Sequence, residues 1–125
     1  MSYKELELWK LARDLSIVVH RMTLSKPPQF EMYELGGKIR RASKSARAAI
    51  MEGHGRRRYK NDFAPYLTCA LASNRETTDH LETLYQTKSL TGEHLFNDLS
   101  GRLASRGYKL NRFIQMVDNG HNSPK

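Results

Sequence analysis

Apolar residues recur at helical spacing four times along the chain. In the first stretch Leu8, Leu11, Leu15, Val18 and Met22 follow at steps of three and four, Ala12 and Val19 widen the stripe, and Lys10, Arg13, Asp14 and Arg21 face away. The spacing predicts an amphipathic helix over about residues 5 to 24. It must stop before Pro27-Pro28, because proline lacks a backbone donor and drives the residue before it out of helical geometry. A second stripe, Leu35, Ile39, Ala42, Ala46, Ala49 and Ile50, is rich in alanine, and small residues let a neighbouring helix approach closely. Gly36-Gly37 weaken its start by about 1 kcal/mol each. Gly53 and Gly55 are expected to end it, since glycine best tolerates a left-handed cap.

The third stripe runs Phe63, Leu67, Ala70, Leu71, Leu81 and Leu84, with Asn74 and Thr78 as polar interruptions. Pro65 is tolerated only near a helix start, which makes Asp62 the expected N-cap. A connection around residues 89 to 92 leads to a last stripe of Phe96, Leu99, Leu103, Leu110, Phe113 or Ile114, and Val117. That stripe keeps a heptad spacing. No β-type alternation competes. Four helices on short loops pack most simply as an all-α, antiparallel up-and-down four-helix bundle. With 125 residues in all, the expectation is a single domain over residues 1 to 119 and a disordered polar tail over 120 to 125.

Charge changes this picture more than composition does. The formal net charge is +8, and residues 38 to 60 alone account for it: Lys38, Arg40, Arg41, Lys44, Arg47, Arg56, Arg57, Arg58 and Lys60 stand against Glu52, while the remainder is balanced. Arg40, Lys44 and Arg47 lie at i, i+4 and i+7, along one ridge of the second helix. Past that helix, Arg56-Arg57-Arg58-Tyr59-Lys60 sets four cations and an aromatic ring on a loop, a mixture that neutralises phosphates and lets a base stack. No recognition-helix, zinc-finger or RNP signature accompanies the segment, so binding would be to RNA or DNA backbone without sequence preference. The same run also reads as a solvated face, or as the lining of a subunit interface against Glu5, Glu7, Glu31 or Glu34, which would make the chain a structural scaffold.

Candidate chemistry is sparse. The histidines, His20, His54, His80, His94 and His121, show no HxxxH, HExxH or Glu-x-x-His spacing, so no metal or cofactor is expected. Neither a GxSxG elbow nor a phosphate-binding glycine loop occurs, and the reading is non-enzymatic, with no small-molecule substrate evident. Cys69, the single cysteine, excludes an internal disulfide and is expected to pack as a small hydrophobe. Trp9 sits beside its stripe, so partial burial, completed by another subunit, is expected. No apolar run is long enough to span a bilayer, which fits the cytoplasm.

The segments Ile39-Arg40-Arg41-Ala42, Ser45, Ile50 and Glu52-Gly53-His54-Gly55-Arg56-Arg57, then Ala70, Ser73 and Glu76, together with the opening Leu8-Trp9-Lys10-Leu11-Ala12, carry a resemblance. The chain resembles the bacterial four-helix bundle protein family encoded by intervening sequences of 23S ribosomal RNA genes, and is similar to accessory proteins of diversity-generating retroelements. Where that family's element reads Asn-Ile-Ala-Glu-Gly, this chain has Ala49 and Met51 in place of the asparagine and alanine. The resemblance implies a cytosolic homo-oligomer, typically a ring of five, with nucleic acid as partner and no enzymatic activity. It also implies that Glu52 and Glu76 pair with arginines such as Arg41 to order the bundle.

Overall fold

A computed structural model describes residues 6 to 26, 28 and 33 to 120. Among the described residues the long elements are four helices: α1 (Glu7–Ser25), α2 (Leu35–Gly55), α3 (Lys60–Gln86) and α4 (Glu93–Gly120). Each packs against its chain neighbours, and α1 closes the ring against α4. The cross-helix contacts run antiparallel throughout. Ser45 of α2 meets Ser73 of α3, Phe63 of α3 meets Phe113 of α4, and Arg40 reaches Thr23 whereas Arg47 reaches Trp9. This is the up-and-down four-helix bundle that the periodicity predicts. No described helix is long and apolar enough to cross a membrane. The expected tail lies outside the described residues from 121 onward.

The contact between α2 and α3 is the most extensive, and its cause is the small-residue face of α2. Ala42, Ala46 and Gly53 are buried there, and a Cβ on Gly53 would stand 2.9 Å from the Tyr66 Cβ. Gly53 is therefore a site of close helix approach, and the expected left-handed cap is absent: Gly53 and Gly55 are both helical, no described glycine has positive φ, and the C-cap of α2 is Arg56 with φ −109°. The start of α3 also differs from expectation. The helix begins at Lys60 with Tyr59 as N-cap, because the Tyr59 carbonyl already accepts from the amides of Asp62 at 3.1 Å and Phe63 at 2.9 Å. Asp62 instead lies in the first turn, where its charge suits the positive end of the helix dipole. Pro65 stands inside the helix, still close enough to its start for the missing amide to be tolerated.

The core is built in stacked clusters. Leu15, Val19, Leu81, Leu99 and Leu103 belong to the largest, Trp9, Ala12, Ile50, Ala70 and Leu110 to the next, and Phe63, Leu67 and Val117 to the last. Trp9 is only 6% exposed within its own chain, so no second subunit is needed to bury it. Cys69 is exposed, on the outer side of α3, contrary to the packing role expected of it.

Between Leu103 and Leu110 the apolar stripe of α4 is interrupted by Arg106, which is fully buried. Its Nε donates to Asn74 Oδ1 at 2.5 Å, and Asn74 Nδ2 donates to the Leu103 carbonyl at 3.1 Å. Among the described residues Nη1 and Nη2 of Arg106 meet no acceptor. Desolvation disfavours the cation and holds its pKa down at about 10. Asn74, read from sequence as a mere interruption, is thus the polar anchor of the α3–α4 contact.

Candidate nucleic-acid interface

The second-helix ridge leans onto α1. Arg40 Nη1 donates to Thr23 Oγ1 at 3.0 Å, Lys44 Nζ lies 3.2 Å from His20 Nδ1, and Arg47 Nη1 lies 3.5 Å from Ser16 Oγ. An ammonium has donors only, so the His20 nitrogen is the acceptor in that pair. Arg47 also lies over the Trp9 ring at 5.2 Å, where Arg13 stands at 5.3 Å, an arrangement in which the ring's electron-rich face attracts guanidinium. Lys44 and Arg47 line a surface groove of about 340 Å³ with Ser16, Ile17, His20 and Arg21 of α1. Hydroxyl, imidazole and indole partners hold the side chains of Lys44 and Arg47 in place without cancelling their charge.

The groove gains one cation that the α2 ridge does not contain, Arg21, while Arg13 stands nearby over the Trp9 ring. The periodicity of α1 shows only that Arg13 and Arg21 face away from its stripe, and the register of α1 against α2 decides that Arg21 shares a groove with the ridge. Arg13 is paired with Asp14 at 3.0 Å on the surface, a contact that water screens. Lys38 and Arg41 are exposed and flank the ridge.

The turn between α2 and α3 is a separate group. Arg56, Arg57, Arg58 and Tyr59 are all exposed, and Lys60 is half-buried. Arg57 Nη1 donates to the His54 carbonyl at 2.8 Å, which satisfies one of the carbonyls orphaned where a helix ends and places a cation at the negative pole of its dipole. Arg58 lies over the Tyr59 ring at 5.5 Å and Arg56 over the Tyr66 ring at 5.2 Å. Lys60 Nζ donates to the Asp118 carbonyl at 3.2 Å, tying the start of α3 to the end of α4. At 1.5 Å of rise per residue, the nine residues from Arg47 to Arg56 separate ridge and turn by roughly 14 Å along α2. Glu52 stands between them.

Glu52 and Glu76 do not meet Arg41 among the described residues. Glu52 faces Arg56 at 3.8 Å, and Glu76 faces His80 at 3.3 Å, both pairs one helical turn apart on the surface. Exposed pairs of this kind contribute about 0.3–0.5 kcal/mol. Among the described residues no cluster of three or more His, Cys, Asp or Glu side chains is arranged to hold a metal ion.

Comparison with known proteins agrees with this architecture. A solved structure of a protein of unknown function from the S23 ribosomal protein family of Bacteroides thetaiotaomicron VPI-5482 superposes with a TM-score of 0.75, over 86% of this chain and 95% of that one, at 18% identity. At that identity the likeness speaks for the fold. No curated protein matches. The family model of the 23S rRNA-intervening sequence protein matches residues 4–112, nearly the whole bundle with the ridge and the arginine turn inside it. The chain therefore belongs to the 23S rRNA-intervening sequence protein family.

Proposed function

We propose that this protein is a non-catalytic, cytoplasmic homo-oligomer, a ring of five on the family resemblance, that binds RNA or DNA through the phosphate backbone. Arg40, Lys44, Arg47, Arg56, Arg57, Arg58 and Lys60 carry the contact, with Arg21 extending the groove and Tyr59 available for stacking. The observation that carries the reading is how Lys44 and Arg47 are held: neutral partners fix them beside Arg21 in one groove, so their positive charge stays available to an anion. Phosphate groups spaced along a strand supply that anion. Base identity is not read, because no recognition-helix, zinc-finger or RNP signature accompanies these side chains.

The test is a titration with structured RNA and with duplex DNA over a range of salt, on protein whose mass in solution is measured in parallel. Affinity should fall linearly with log salt, by a slope of about 0.9 per phosphate neutralised on duplex DNA. Salt-insensitive binding, or none, overturns the reading. If charge reversal at Arg40 and Arg41 breaks the oligomer and nucleic acid is not bound, the basic segment is a subunit contact instead.

A further inference from the structure

At the end of the bundle that carries the arginine turn, a cavity of about 400 Å³ opens to the surface. Its walls are apolar, supplied by Leu8 of α1, Ile50 of α2, Phe63 and Leu67 of α3, and Phe113 and Met116 of α4. The Phe63 and Phe113 rings meet edge to face at 5.8 Å, a rigid contact that fixes the back wall. The mouth is different in character. Tyr108 and Met116, each 64% exposed, stand at it beside Lys109 and Arg112. Lys109 is committed to Glu7 at 2.7 Å, whereas Arg112 donates to the Tyr108 hydroxyl at 3.1 Å and has no carboxylate partner among the described residues.

A concave apolar space with one uncompensated guanidinium at its lip suits a ligand that joins an apolar, flat body to an anion. The cavity lies at the same end of the bundle as the turn: Phe63 follows Lys60 by one helical turn, and Lys60 holds the carbonyl of Asp118, two residues beyond Met116. We propose that the cavity receives an unpaired nucleobase, with Arg112 and the turn residues Arg56, Arg57, Arg58 and Lys60 holding the phosphates on either side of it. This rests on the phosphate-binding reading above and adds to it a class of strand. Every base has a π-face that Tyr108, Phe63 or Phe113 can meet, and the walls offer few polar groups to discriminate among them, so the site takes any base but requires that it be unpaired. A duplex keeps its bases stacked and withholds them.

The experiment compares three probes of equal length at one salt concentration: an unpaired oligonucleotide, the same strand made abasic, and its duplex. The base-bearing single strand should bind about tenfold or more tightly than the abasic strand, the scale of one stacked base. Met116→Trp, which fills the mouth, should remove that difference and leave abasic binding and its salt slope unchanged. Tyr108→Ala, at a side chain exposed enough to be replaced without cost to the fold, should remove part of it. Equal binding of the base-bearing and abasic strands, with the salt slope intact, overturns the cavity proposal and leaves the phosphate reading standing; binding of none of the probes overturns both. Duplex binding as tight as the single strand, or a change of oligomer mass in Met116→Trp, also overturns it, the latter by making the cavity a subunit contact.

Discussion

Arginine is used in two opposite ways in this bundle. Arg106 lies in the interior, fully buried and held by Asn74, its one partner among the described residues, and its burial pushes its pKa down. Arg56, Arg57 and Arg58 lie on an exposed turn, where water and nearby rings accommodate the charge. The contrast teaches that the same side chain costs stability in one place and leaves it nearly untouched in the other, so that mutations at the two sites should separate folding from binding. Arg47 stands between the extremes, half-buried over Trp9 yet lining an open groove.

The largest effect expected is from Asn74→Ala. It strips Arg106 of its one acceptor among the described residues and removes the amide that donates to the buried Leu103 carbonyl, and should lower unfolding free energy by about 3 kcal/mol in a urea titration. Arg106→Met made together with Asn74→Leu should act in the other direction, raising stability by about 1–3 kcal/mol, since two apolar side chains fill the layer without a desolvated charge or an orphaned amide oxygen. A loss of stability in that variant would mean that the buried guanidinium contributes net favourable contacts. The two variants together define whether the interior half of the contrast holds.

Proton linkage sharpens the same point. A base whose pKa is held down at about 10 in the native chain, below its ordinary value, binds fewer protons there than the unfolded chain does once pH passes about 10, so its contribution to stability rises as pH climbs above that value. The stability of the wild type relative to Arg106→Met should therefore rise as pH climbs above about 10. A gap that stays constant would show that Arg106 keeps its proton throughout.

On the exposed side, the combined change of Arg56, Arg57 and Arg58 to Gln should weaken nucleic-acid binding by about tenfold and flatten its salt slope. Stability should move by no more than about 0.5 kcal/mol, as is usual for exposed positions. Arg47→Gln should give the smallest and most mixed result: a loss of about 1 kcal/mol from the cation–π contact with Trp9, followed by its fluorescence, and a severalfold loss of affinity. If Arg47→Gln altered binding more than the triple change, the groove and not the turn would be the principal contact.

Most of the architecture is legible in the sequence because helical periodicity is a local property. The four apolar stripes and the proline pair locate the helices, and the buried residues Leu15, Ile39, Leu67, Leu81 and Leu110 are those the spacing selects. Helix ends were less legible: Tyr59 and not Asp62 caps α3, since a cap depends on which carbonyl the first turn reaches. Arg106 was missed although a signal existed, for the alternating steps of three and four between Leu103 and Leu110 land on position 106. Reading residues by type ruled it out, and only the presence of Asn74 across the interface makes its burial possible.

The sequence by itself determined a bundle of four amphipathic helices, the concentration of net charge in residues 38 to 60, and the family to which the chain belongs. Local spacing and composition are enough for these. What the tertiary structure decided is where the charges meet other things: that the ridge shares a groove with Arg21 of α1, that the arginine turn lies at the same end of the bundle as an apolar cavity, and that Trp9 is buried within its own chain. Each of these depends on the register of one helix against another, and no single helix's periodicity contains that register.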